Sequence, residues 1–253
     1  MMEVLQAGGW GLLAGLALVL GAAIGYFARV PREAVALVMA FGSGVLISAM
    51  SFELIAEAHE QGGLLPTTLG ALGGATAYTL ANVVLARRGA RHRKRSGAAA
   101  VARQPAEDEQ PGSGAAIALG AALDGIPESV VIGASLLAGG GVSAATVAAV
   151  FISNVPEGLS SAAGMREARR SPAYVFGLWG GIALLSGVAA LVGYAVLGDA
   201  SGTVLAAITA VAAGAILAMV ADTMIPEAFS DAQLWTGLVT VVGFLCAFAM
   251  SHA

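Results

Sequence analysis

Eight apolar runs separated by short polar breaks organise the chain, at 8–28, 34–56, 64–86, 113–137, 142–165, 173–197, 203–227 and 234–251. Each is close to the roughly 20 residues that a helix needs to cross a bilayer. The short alternating segments of a membrane β-barrel are absent. The pattern predicts an all-α polytopic membrane protein with eight transmembrane helices, a single transmembrane domain over 1–253. Residues 87–112, "RRGARHRKRSGAAAVARQPAEDEQPG", form the one long polar connection. Basic first and then acidic, with Pro and Gly, it reads as a flexible linker between helices three and four.

Composition strengthens the membrane reading. The chain is 58% hydrophobic and 11% charged, and its 35 glycines suit helices that pack backbone to backbone in lipid. All twelve Lys and Arg residues follow the first, third or fifth run, from Arg29 and Arg32 through Arg87–Arg103 to Arg166, Arg169 and Arg170. With eight spans those connections share one face. The positive-inside rule makes that face cytoplasmic, in a multi-pass inner-membrane protein with both termini outside. The first run is not a cleaved signal peptide, since its basic residues follow it. The basic part of the linker reads as topology plus attraction to anionic headgroups, with no nucleic-acid partner expected. A lone Cys246 excludes an intramolecular disulfide.

The chain also repeats internally. "GVLISAMSFELIAEA" from Gly44 aligns without gaps on "GAILAMVADTMIPEA" from Gly214, at a constant offset of 170. One copy lies in a helix running outward and the other in a helix running inward. Helices one to three are therefore expected to relate to six to eight as an inverted repeat. Helices four and five, with "DGIPES" and "SNVPEG", form a central inverted pair. Inverted repeats with broken helices at the midplane are typical of secondary transporters.

The central pair carries the chemistry. Asp124 and Glu128 are four residues apart and share a helix face, as do Ser153 and Glu157. Pro127 and Pro156 remove one backbone donor each and free the carbonyls of Leu123 and Ile152. An ionised carboxylate at this depth costs on the order of 2.5–3.5 kcal/mol by the mildest scale, and several together repel. A divalent cation removes both penalties. Asp124, Glu128, Glu157, Asn154 and Ser153 are an all-oxygen donor set of the kind that hard cations prefer. Kinks with protonated glutamates, or a proton relay, are the competing readings. Asp222 and Glu227 toward the cytoplasmic end, and Glu53, Glu57 and His59 toward the outer end, are candidate exit and entrance residues. Snorkelling or capping explains those acids equally well.

At these residues the sequence resembles the ZIP family, the Zrt/Irt-like divalent metal transporters, particularly its compact bacterial members. The resemblance implies a homodimeric transporter that moves zinc inward without ATP or any organic cofactor. In it, helices one, four, five and six would move against the other four. The family's ligand positions fall on Asp124, Gly125 and Glu128 in helix four and on Ser153, Asn154 and Glu157 in helix five. Asp124 stands where relatives have histidine, Gly125 where they have asparagine and Ser153 where they have His or Gln. A helix-six glutamate of many relatives falls at Ala190, and Ala221 and Asp222 stand where relatives often have His-Glu. With no imidazole in the core, manganese, ferrous iron or magnesium gains on zinc, which favours nitrogen and sulfur. Two alternatives stand beside transport: a non-transporting metal-binding or sensor member of the fold, and an intramembrane hydrolase using Ser153. The second lacks a histidine or lysine base in any span, so no enzyme is expected.

Overall fold

The computed structural model describes residues 2–94, 104–106, 109–136, 144–198 and 200–252. Among them the chain is all helical. The long elements are α1 (Met2–Phe27), α2 (Arg32–Gly62), α3 (Leu64–Arg87), α4 (Ser113–Ser135), α5 (Ala144–Glu167), α6 (Pro172–Leu197), α7 (Gly202–Asp231) and α8 (Thr236–Ser251). Six of these, all but α5 and α8, are long and apolar enough to cross a membrane, and the protein is membrane-embedded. Helix α8 is shorter. Helix α5 is long but more polar, and from Ser153 to Met165 nearly all of it is buried among its neighbours, so it need not match lipid.

Local chemistry sets several boundaries. Ser171 caps α6 by accepting from the Tyr174 N–H at 3.2 Å, with Pro172 at the first helical position. Ser201 caps α7 in the same way. Gly63, at φ 77°, makes the left-handed turn between α2 and α3. The α4 and α5 helices continue through Pro127 and Pro156.

The helices sort into two groups. Helices α1, α4, α5 and α6 pack mainly on one another, as do α2, α3, α7 and α8; the groups meet through α2 with α5 and α4 with α7. The 170-residue offset has structural counterparts. Helix α2 carries a π-helical turn at Met50–Ile55, and α7 carries one at Val220–Met224, where an extra residue per turn shifts the helix face. Gly44 of α2 abuts the Thr240 carbonyl of α8, and Gly243 of α8 abuts the Phe41 carbonyl. In the other pair Gly214 of α7 abuts Ala71 and Gly74 of α3 abuts Val211. A Cβ at any of the four would collide with backbone.

Gly44→Ala and Gly214→Ala are therefore expected to destabilise by similar amounts, roughly 1–3 kcal/mol each, as overpacking does. Gly73→Ala and Gly177→Ala, where a Cβ would meet nothing within 4 Å, should be neutral or stabilising. Thermal unfolding in detergent reads the difference, and equal midpoints for all four variants would refute this packing.

Candidate functional site

Asp124 and Glu157 converge on one buried cation, a partner that the sequence did not suggest. Asp124, Glu128, Asn154, Ser153 and Glu157 are all buried. Arg93 and Lys94, expected in a flexible linker at the headgroups, are buried with them at 2% and 4% exposure. Gly89 makes this possible: at φ 105° it turns the chain sharply after α3, and the short 3-10 turn Ala90–His92 carries it inward.

Arg93 forms a two-pronged pair with Asp124. Its Nε donates to Oδ2 and its Nη2 to Oδ1, both at 2.8 Å, the geometry in which guanidinium and carboxylate bind most strongly. The Tyr78 hydroxyl of α3 donates to Asp124 Oδ1 at 2.7 Å, and Arg93 Nη2 approaches the same hydroxyl at 2.9 Å. Arg93 Nη1 donates to Asn82 Oδ1 at 2.8 Å. Tyr78 and Asn82 lie one turn apart on α3 and present this face together. Gly120, one turn before Asp124, supplies the cradle: a Cβ there would lie 2.6 Å from Arg93 Cδ. Burial opposes the charge on Arg93, but Asp124 outweighs it and holds the guanidinium pKa above its ordinary value.

Lys94 lies between the two acid-bearing helices. Its Nζ is 3.0 Å from Glu157 Oε1 on α5 and 3.5 Å from Asp124 Oδ2 on α4. The backbone of this segment is also held. Gln104 Nε2 donates to the Arg93 carbonyl at 2.8 Å and to the Ser161 carbonyl of α5 at 2.9 Å. The Ser160 hydroxyl contacts the Lys94 carbonyl and lies 3.2 Å from Glu227 Oε1.

The remaining donors divide. Glu128, one turn after Asp124 on α4, is buried, and its Oε1 has no hydrogen-bond partner. Ser153 donates to the Val150 carbonyl at 2.9 Å, and Asn154 Nδ2 to the Ala14 carbonyl of α1 at 2.9 Å. Both donor groups are satisfied by backbone carbonyls. Among the described residues no three acid, histidine or cysteine side chains are grouped as a metal cage would need; Lys94 stands between Asp124 and Glu157.

Of the outlying candidates, Glu227 is buried beside Ser160 of α5, whereas Asp222 on the same helix is exposed. Glu53 accepts from Thr146 at 2.8 Å and from Ser251. Glu57 accepts from Gln61 within its own helix at 2.8 Å, and His59 is exposed. None of these three reaches the central cluster. Ala190 is fully buried, and its Cβ faces Gly11 of α1, where even an added Cβ would come within 2.6 Å. An acid at this helix-six position would have no room.

No family model matches the chain, and no curated protein matches it. The chemistry of the site therefore carries the functional assignment. Sequence reasoning missed Arg93, Lys94, Tyr78, Asn82, Gln104 and Ser160. One signal was available. Three buried acids demand cations, and the run after α3 is the basic segment adjoining the acid-bearing helices.

Proposed function

We propose that the protein is a secondary transporter of divalent cations in the cytoplasmic membrane, with Asp124, Glu128 and Glu157 as its central site. One observation carries this reading: a cation, Lys94 Nζ, already bridges carboxylates from α4 and α5. Arg93 and Lys94 together bring two positive charges, the charge of one divalent ion. Exchanging them for such an ion would leave the charge of the site unchanged.

The rest of the reading follows the resemblance to Zrt/Irt-like transporters. All eight helices span, both termini lie outside, and α1–α3 relate to α6–α8 as an inverted repeat. The paired π-helical turns and the reciprocal glycine contacts at nearly constant offset support the repeat. The sorting into α1, α4, α5, α6 and α2, α3, α7, α8 supports motion of one group against the other. Import into the cytoplasm and a homodimer rest on the resemblance. With oxygen-only donors, Mn2+ or Fe2+ is the better substrate than Zn2+. A second reading, a metal-binding or sensing member that does not transport, is favoured by the ion pairs that fill the site.

Equilibrium Mn2+ binding to the purified protein, followed by electron paramagnetic resonance, tests the site. One saturable Mn2+ per chain is expected, lost in the Glu128→Gln/Glu157→Gln double variant. Absence of saturable binding, or binding indifferent to that variant, would overturn the assignment.

A further inference from the structure

The geometry points to the Ala90–Lys94 segment as a tethered stand-in for the substrate cation, a plug that must withdraw before the site can load. This rests on the cation-transport reading above and adds how the site is regulated.

The placement is built. Gly120 is bare where Arg93 lies against α4, Gly89 makes the turn that aims the segment inward, and Gln104 and Ser160 hold the carbonyls of Arg93 and Lys94. It is also held mainly by pairing. Desolvation opposes burying both cations, and the opposing charges repay it only while they stay in place. An ion offering the acids the same charge in one compact centre competes directly. The plug leaves one acid unsatisfied, because Glu128 Oε1 has no hydrogen-bond partner. A divalent ion coordinated by Asp124, Glu128 and Glu157 together would satisfy it, and Arg93 and Lys94 would return to water.

The plug also joins the moving parts. Arg93 binds Asp124 on α4 of one helix group and, in the same guanidinium, Asn82 on α3 of the other. While it is seated, the two groups are stapled and a rocking motion between them is blocked. Site loading and release of the staple are thereby one event, which prevents idle cycling of an empty carrier.

Limited trypsin digestion of the full chain in lipid nanodiscs tests this, with the cleaved bonds identified by mass spectrometry. Without metal, cleavage after Arg93 and Lys94 should run at least about tenfold slower than after the exposed Arg88, because proteolysis tracks the open population. Adding MnCl2, against a NaCl control of matched ionic strength, should largely abolish that protection. It should do nothing in Glu128→Gln/Glu157→Gln. Gly120→Val should expose the bonds without metal. Lys94→Gln should lower the apparent Kd for Mn2+ about tenfold by removing the closed state. Protection that persists while bound Mn2+ is measured in the same sample overturns the plug and leaves the transport reading intact, as does equally fast cleavage at all these sites without metal. Protection with no Mn2+ binding at any concentration overturns the transport reading, and the exchange with it.

Discussion

Asp124→Asn is expected to be the most destabilising single change in the site. The carboxylate takes both prongs of Arg93, a hydrogen bond from Tyr78 and the charge of Lys94. An amide of the same shape offers one acceptor and no charge. Two buried cations would be left with Glu157 as their nearest compensation, and breaking a buried pair from one side costs about 3–5 kcal/mol. Withdrawal of the linker into water can relieve part of that cost. Two readouts are therefore needed: the thermal midpoint should fall, and the bonds after Arg93 and Lys94 should become trypsin-sensitive. Adding Arg93→Gln should restore much of the midpoint, because the orphaned guanidinium is then gone. An unchanged midpoint with unchanged protection would mean that the pair contributes nothing.

Glu128 and Glu157 should separate function from stability. Glu157 anchors Lys94 at 3.0 Å, so Glu157→Gln should cost both stability and cation uptake. Glu128 keeps a buried carboxylate oxygen without a partner, an arrangement that burdens the fold. Glu128→Gln should therefore be neutral or stabilising, yet reduce Mn2+ uptake by roughly 100-fold, the upper range of what even outer-sphere partners contribute at metal sites. A residue that costs stability while it is present and activity when it is removed is one retained for function. Loss of stability in Glu128→Gln with uptake intact would reverse the roles given to it here.

The all-helical, membrane-embedded class and the buried acids of the candidate site were legible in the sequence because both depend on local rules. Among the described residues the apolar runs fall on the eight long helices, six of them long and apolar enough to cross a membrane, although α1 starts earlier, at Met2, and α2 runs on to Gly62. The α2 and α7 copies were visible as a gapless alignment, and the same offset reappears in their π-helical turns. Asp124, Glu128 and Glu157 stood out because acids at that depth need a reason. What stayed hidden depends on tertiary contact. Nothing local says that Arg93 and Lys94 fold inward instead of snorkelling to headgroups; that follows from the Gly89 turn and the Gly120 cradle, which meet only in three dimensions. Ser153 and Asn154 were legible as oxygen donors by spacing; what the sequence did not show is that their O–H and N–H groups donate to the carbonyls of Val150 and Ala14, which fixes both side chains. Glu57 and Glu227 align at the 170-residue offset, yet Glu57 is held by Gln61 of its own helix whereas Glu227 meets Ser160 of α5.

Mn2+ uptake into proteoliposomes of the purified protein, with an inward gradient and no ATP, tests the central claim most directly. Saturable uptake by the wild-type chain, absent in protein-free liposomes and lost in Glu128→Gln while that variant keeps its thermal midpoint, is the predicted result. Saturable binding of Mn2+ without flux would contradict transport and select the metal-sensing reading.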